Sequence, residues 1–583
     1  MPAMNRCVLL ALLALMAGQA CLAQSVASPN ILVASYANSE RILADPAGAV
    51  GPAQLIVAIN GRLRSLNKLS GLADAALEVS TEDFFASVLT PSASNSTFAT
   101  RIRFDRLSGR WFLLVTDAPG LAGSQANRVL IAVSSAAVVT GMADFSFAQF
   151  QLTATQFTDS ASLGIDAHAL YIGANLLDFS GNYQSSAVAV VNKAALLSTA
   201  TLQVTRFLDI GSMSKAGPFA PVGVDNDDSQ AQVGYVIGVD TQRLGQLDVI
   251  KVINPGGSPQ LSALHRVIVA PTALPINVAH LGNLNSSAGE LNTLDDRLGA
   301  AQMRAGRLWT VHHIGSNAQG IAAASASRNA LRWYALDGLD GVPQVQQMGT
   351  IVDSGQGALS YWNSSVRVSG QGHALFGFSS AGAETRINAG IAARLSSDAP
   401  GAMSLAAQTY TQATAAYNPP ADPGGLNGRV WGTSSSTSLD PCDDMTLWTF
   451  QQYVNASNSW GVRAVRVLAP APSLLSCSSP ISIERGQSNV TIQLSGSGLF
   501  DTQPSVGACR VAGLASTSGG GLLIERSTYN SPSAVTLRLQ ATSTATLGLR
   551  TLGWRNPDGQ QAQADGCVHV VSDALFVNGF EQL

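Results

Sequence analysis

Five residues of this 583-residue chain could bring an acid, a base and a cation to one pocket: Asp105, Arg110, Asp295, Arg297 and His312. Paired carboxylates cleave glycosidic bonds, arginine grips anionic substituents, and histidine exchanges protons near neutral pH. They lie far apart in sequence, so only a fold that returns each to a common centre could make them act together. His312 and His313 sit next to each other in an apolar run that opens at Trp309. Successive strand residues face opposite sides, which sends one imidazole toward such a centre and the other into the interior. A histidine bonded to neighbouring backbone is the ordinary alternative. His168 and His373 occupy matching places in an internal repeat, His-Ala-Leu-Tyr and His-Ala-Leu-Phe, which favours architecture for them. A serine nucleophile is not expected, because Gly377-Phe378-Ser379-Ser380-Ala381-Gly382 misses the elbow spacing by a residue and lacks an α/β setting.

Two acidic clusters offer the oxygen ligands that calcium requires. One is Asp225-Asn226-Asp227-Asp228, and the other is Asp440 with Asp443 and Asp444. Neither follows the full EF-hand spacing, and carboxylates that cap loop turns are the alternative. Calcium is the single cofactor these residues suggest. Zinc is not expected, since no Cys-x-x-Cys occurs.

The remaining cysteines point to export. Cys7 and Cys21 fall in an N-terminal segment with Arg6, an apolar run and small residues ending at Ala23, the form of a cleaved secretory leader over residues 1–23. Cys442, Cys477, Cys509 and Cys567 remain, and an even number in an oxidising compartment implies two disulfides. Three connectivities are open. If the last three cysteines share a domain, one of them must pair with Cys442; Cys442–Cys477 with Cys509–Cys567 is the expected set. No later stretch has the ~20 uninterrupted apolar residues of a membrane helix.

Composition narrows the partners. Charged residues make up 12% of the chain and the formal net charge is −4, so the clustered basic face of a nucleic-acid binder is not expected. Lys68, Lys193, Lys215 and Lys251 are the only lysines beside many arginines, a skew typical of a GC-rich bacterial genome. A glycan or an extracellular protein is the partner class that fits.

The elements that must position these residues are short strands. Leu55–Ile59, Gly109–Val115, Ala169–Gly173, Gly234–Gly238, Gly306–Val311, Ala374–Phe378 and Thr446–Phe450 are apolar runs, most of them entered from a Gly-containing turn. Gly109-Arg110-Trp111 echoes Gly306-Arg307-Leu308-Trp309 and Gly428-Arg429-Val430-Trp431. Helical periodicity is scarce, with Lys193–Leu197 as one short turn. About seven such strands, with no linker-like break before Leu468, predict an all-β chain: a β-propeller of about seven blades, with six or eight also compatible, over 24–468. Arg429–Trp460 is then the last blade, where the ring must close. Residues 469–473 form a Pro/Ala linker, 474–571 a small Ig-like sandwich, and 572–583 a tail read as a sorting signal or a frayed edge strand.

Pro480-Ile481, Gly486 before Val490–Leu494, Ser495–Phe500 and Asn556-Pro557-Asp558-Gly559 resemble an IPT/TIG domain, an immunoglobulin-like fold. That resemblance implies a binding or spacer module, with the Asn-Pro-Asp-Gly segment closing a hairpin. Phe104-Asp105 with Gly109-Arg110-Trp111, Leu294-Asp295-Asp296-Arg297, and Asp440-x-x-Asp443-Asp444 before Trp448 resemble uncharacterised secreted bacterial propellers, loosely sialidase-like. The tail Asp573–Glu581 looks like one found on exported proteins of gram-negative bacteria. A sialidase would also need three convergent arginines, a tyrosine–glutamate pair and repeated Asp boxes. Ser438-Leu439-Asp440 leading to Trp448 is too long for such a box, and Arg101-Ile102-Arg103 only superficially echoes the family's Arg-Ile-Pro. The resulting reading is a secreted or cell-surface binding protein with a propeller platform and an Ig-like spacer. The alternative is an extracellular polysaccharide hydrolase or lyase acting at the channel mouth.

Overall fold

The computed structural model describes residues 23–198, 200–502 and 509–572; the expected leader up to residue 22 and the tail from 573 lie outside them. Among the described residues, seven sheets, antiparallel apart from one short parallel pairing in the fifth, follow one another as the blades of a propeller. Blades 1 to 6 span 47–79, 95–150, 157–212, 218–268, 300–351 and 360–409. The seven apolar runs read from sequence are the second strands of the seven blades: Gln54–Ile59, Arg110–Pro119, Ala169–Leu177, Val233–Asp240, Arg307–Ser316, Ala374–Gly382 and Leu447–Ala456. They are the loudest strands because each is covered on both faces. In Arg110–Pro119, Trp111, Leu113 and Val115 pack toward Ile56 and Ala58 of blade 1, while Phe112 and Leu114 pack toward Leu170 and Ile172 of blade 3. Alternation between two apolar neighbours leaves no polar face, so the strand reads as a continuous hydrophobic run.

Blade 7 closes the ring with a strand that the sequence reading did not place there. Its sheet runs Ser436–Leu439, Leu447–Ala456, Ser459–Leu468, and then Ser25–Ser35 from the other end of the chain. The register runs from Ser25 opposite Leu468 to Ser35 opposite Gly461. Arg463 reinforces it, its Nε donating to Asn30 Oδ1 at 2.6 Å. The Gly428-Arg429-Val430-Trp431 echo is a correction: it lies in the long connection before blade 7, not at the start of a second strand.

Blades 3 and 4 approach so closely that glycine is required. A Cβ on Gly173 would stand 2.1 Å from the Pro221 carbonyl oxygen, and one on Gly223 2.1 Å from that of Tyr171. Lys193–Leu196 is the expected turn of helix, with Asn192 accepting from the Ala195 amide at its start.

After residue 468 the architecture changes. Ser473–Leu474, Val490–Ser497, Ala534–Ala541 and Leu522–Ser531 form one four-stranded sheet; Ile481–Glu484, Gln561–Val571, Gly548–Arg555 and Leu514–Thr517 form another. They bury Ile483, Leu494, Leu537, Leu552, Trp554 and Val568 between them. Asn556-Pro557-Asp558-Gly559 closes a hairpin, with the Asn556 amide donating to the Gln560 carbonyl at 2.8 Å. The disulfides are Cys442–Cys509 and Cys477–Cys567, which corrects the expected pairing while keeping Cys442 joined to the C-terminal sandwich. The reason is strand register. Ile481–Glu484 runs parallel to Gln561–Val571 with Ile481 opposite Val568, which carries Cys477 to Cys567. Cys509 is left for Cys442, and the Val511 amide donates to the Cys442 carbonyl at 2.9 Å beside that bridge.

Gly223→Ala is expected to lower stability by about 1–3 kcal/mol, because the new methyl must push two packed backbones apart. Gly425→Ala, with open space around its Cβ position, should change the denaturation midpoint little; the pair of urea titrations checks this.

Candidate functional site

The innermost strands of all seven blades line a central channel, with a cavity of about 80 Å³ near its mouth side. Half of the residues lining it are serine, threonine or arginine. On the mouth side, Arg297 clamps Asp295 through two bonds of 2.7 Å, from Nε and from Nη2. Burial alone would lower the pKa of Arg297, but Asp295 more than offsets this and holds the guanidinium charged. Arg101 donates to the Thr100 carbonyl at 2.9 Å and to Ser434 Oγ at 3.3 Å. Asp45 accepts from the Thr433 hydroxyl at 2.6 Å.

Deeper in the channel the charges form a circuit. Asp225 Oδ2 receives Arg103 of blade 2 at 2.7 Å and Arg367 of blade 6 at 2.6 Å. Arg367 continues to Asp227 at 3.5 Å, and Arg304 of blade 5 lies 4.0 Å from the same carboxylate. Arg304 also binds Asp444 at 2.5 Å, and Asp444 returns to blade 2 through Arg106 at 2.7 Å. Four guanidiniums and three carboxylates are thereby linked across the base of the channel. Beside the circuit, Lys193 binds Asp105 at 2.7 Å, and Lys68 of blade 1 reaches Asp440 at 3.0 Å. Burial would raise the pKa of Asp227, yet Arg367, Arg106 and Arg304 together hold it below the usual carboxylate range.

The five residues expected to converge are therefore distributed over separate structural tasks. Asp105 is the buried partner of Lys193. Arg110 donates to the Ser134 carbonyl at 2.8 Å within blade 2. His312 points into its blade, with Nδ1 2.6 Å from the Asp296 carbonyl and Nε2 3.1 Å from the Tyr334 hydroxyl. Burial pushes its pKa down to about 3, so it stays neutral. His313 lines the channel, as strand alternation requires for one of the pair, but its Nε2 donates to the Thr293 carbonyl at 2.7 Å. Only Asp295 and Arg297 meet, and they neutralise each other. His168 and His373 both stand at the start of a second strand and tie loops, to the Ala231 carbonyl and the Ser396 amide at 2.9 and 3.0 Å.

The calcium candidates are likewise engaged. Asp225, Asp227 and Asp444 belong to the circuit, and Asp440 holds Lys68. Asp443 accepts from the Met445 and Thr446 amides at 2.9 Å, a turn cap. Asp228 takes the Gln230 amide at 2.8 Å. Among the described residues, no three carboxylate, histidine or cysteine groups converge as a metal site.

No family model matches this chain, and no curated protein does. Solved structures are similar only in broad outline. A Trypanosoma rangeli sialidase in complex with the inhibitor DANA aligns over 64% of this chain and 55% of its own, at 11% identity and a TM-score of 0.33. Drosophila semaphorin 1a, extracellular domains 1–2, aligns over 73% of this chain and 86% of its own, at 10% identity and 0.34. Penicillium chrysogenum α-L-arabinanase complexed with arabinobiose aligns over 64% and 96%, at 10% and 0.32. The chain thus spans about half the length of the sialidase. None of these likenesses bears on a residue of the channel, and the propeller rests on the sheets themselves.

Sequence reasoning missed Arg103, Arg106, Arg304, Arg367 and Lys68. The available signal was spacing: Arg101 and Arg103 stand two apart on one strand, hence on one face. A second buried acidic pair also escaped notice. Asp248 is fully buried in blade 4 and its carboxyl oxygens find no donor, with Asp240 beside it. Burial pushes the Asp248 pKa up to about 8, and Asp240 adds to the rise.

Asp225→Ala should cost about 3–5 kcal/mol, since it strands two guanidiniums that are only 24% and 12% exposed, whereas exposed Asp228→Ala should cost under about 0.5 kcal/mol. Millimolar calcium should leave the wild-type Tm unchanged, because an ion at Asp225 or Asp227 would have to displace arginines; thermal scans with and without calcium check both expectations. Asp248 binds its proton more tightly when folded, so its contribution to stability falls as pH rises from the ordinary carboxylate value of 3.8 to about 8 and then levels. Asp248→Asn should remove that decline, visible as a flatter Tm profile over that range.

Proposed function

We propose that this protein is an exported binding protein, with the mouth-side face of the propeller as its ligand platform. The observation that carries the reading is the division of labour between the two faces. The base side is taken up by the ionic circuit, by the Cys442–Cys509 bridge and by the C-terminal sandwich, where Met445, Ala469 and Phe500 form a small shared core. The mouth side carries two long connections, 269–299 and 410–435. They zip together: the Arg429 amide donates to the Glu290 carbonyl at 2.6 Å, Asn292 to the Arg429 carbonyl at 2.7 Å, and Gly425 to the Ala288 carbonyl at 3.0 Å. Arg429 itself is buried, reaching the Tyr417 carbonyl at 2.8 Å and Asn418 at 2.7 Å.

This braced pair of loops presents Leu284 and Leu426, 78% and 104% exposed, on a rigid support. Loops held by a stiff scaffold are where propellers and similar folds place recognition, and fully exposed leucines suit an apolar contact. Two disulfides, the leader-like start and a chain in which no described helix is long and apolar enough to cross a membrane accord with an oxidising compartment outside a gram-negative cytoplasm. A glycan or an extracellular protein is the ligand class. The sandwich serves as a spacer that the disulfide holds against the ring. Binding is favoured over hydrolysis because Asp105, Arg110, Asp295, Arg297 and His312 each already serve a structural partner.

The test is the full chain against glycan and extracellular-protein arrays, alongside a polysaccharide hydrolysis screen. Wild-type protein should retain a ligand that Leu284→Ser/Leu426→Ser loses at least tenfold, with Tm unchanged. Retention of full affinity by that variant, or catalytic turnover of a polysaccharide, overturns the reading.

A further inference from the structure

The charges that line the channel cavity do not balance. Arg101, Arg103, Arg297 and Arg367 all border it, and Asp225 is the one carboxylate among the lining residues. Arg297 is neutralised by Asp295. Arg103 and Arg367 share Asp225, and following the circuit to its end through Asp227, Arg304, Asp444 and Arg106 still leaves one positive charge in excess. Arg101 is a further guanidinium on the cavity wall. Among the described residues it makes no ion pair within 4.0 Å, and its recorded partners are a carbonyl and the Ser434 hydroxyl, both neutral. Asp45 and Asp159 are the carboxylates whose fields reach it. Asp45 spends one oxygen on Thr433, and neither carboxylate pairs with Arg101.

Guanidiniums do not discharge by losing a proton, so four of them around one lining carboxylate favour an anion between them. We propose that the central channel binds one small inorganic anion, of chloride to phosphate size, between Arg101 and the Arg103–Asp225–Arg367 group. The cavity has the room: on the scale where one water needs about 10–15 Å³, about 80 Å³ holds several, enough for such an ion and its hydrogen bonds. The chemistry follows from the lining. Guanidinium edges and the hydroxyls of Ser434, Ser436 and Ser364 offer donors from blades 2, 6 and 7. Bound there, the ion is a bolt at the hub of the ring. It goes beyond the proposed ligand platform and does not depend on it.

The experiment is thermal unfolding of the full chain at constant ionic strength, with sodium gluconate replaced stepwise by sodium chloride or sodium phosphate. Gluconate is the bulkier anion and controls for screening. Chloride or phosphate should raise Tm saturably, by about 2–3 °C at a hundredfold excess over the dissociation constant. Arg101→Gln should abolish the rise, while Arg110→Gln, altered outside the channel, should keep it. If Arg101→Gln does not fold, chloride-35 line broadening on the wild type gives the second readout, with phosphate expected to displace it. Equal Tm in gluconate, chloride and phosphate, an unsaturable dependence, an undiminished response in Arg101→Gln, or no displaceable chloride broadening overturns the proposal.

Discussion

Asp225 sits where the blades of this ring come closest to a common point. Its strand, Asp225–Asn226, leaves blade 4 to run parallel beside Ala300–Arg304 of blade 5. One carboxylate oxygen then takes arginines from blades 2 and 6, and the other takes the Ile165 amide of blade 3 at 3.1 Å. Five blades are thus referred to a single side chain. Elsewhere neighbouring blades meet through apolar faces, which are non-directional and tolerate sliding. The buried circuit supplies direction, because each guanidinium has few geometries that satisfy a carboxylate. Whether such networks add net stability depends on their desolvation cost. What they do here is set the radial position and the rotation of the inner strands.

The same logic explains why the candidate catalytic residues turned out to be structural. A channel lined by seven inner strands concentrates polar side chains wherever a ring closes around them. Asp105 with Lys193, and Asp295 with Arg297, are polar groups that the fold buries and must therefore pair. Two residues of opposite charge meeting at a propeller axis are a weak sign of chemistry. An uncommitted charge, such as Arg101, is a stronger sign of a ligand.

What could be read from the residues was the part of the fold that is buried on both sides. The second strands announced themselves as apolar runs, and their number pointed to about seven blades, with six or eight left open. The inner strands were silent: Ser436–Leu439 is short and hydroxyl-rich because it faces a polar channel, and nothing in its composition separates it from a loop. Ser25–Ser35 was silent for another reason. It is an outermost strand, largely half-exposed, and its partner is far along the chain. Arg429 looked like a repeat signal and is instead the buried strut of the mouth-side loops, a role visible only once Tyr417 and Asn418 are beside it. The cysteines showed that Cys442 must reach the C-terminal sandwich, but the choice of Cys509 required the parallel register of Ile481–Glu484.

Closure by Ser25–Ser35 also imposes an order of events on assembly. Asn30 and Arg463 are 433 residues apart, so the first strand of the ring is made long before the strand it completes. At synthesis rates of roughly 5–20 residues per second, it waits on the order of 20–90 s with its backbone donors and acceptors unspent. Six blades can stack in succession as they emerge, each templated by the one before. The seventh cannot finish until the two ends of the propeller find each other. Until then the chain is an open arc with a free β-edge at each end, the form most exposed to pairing with another copy of itself.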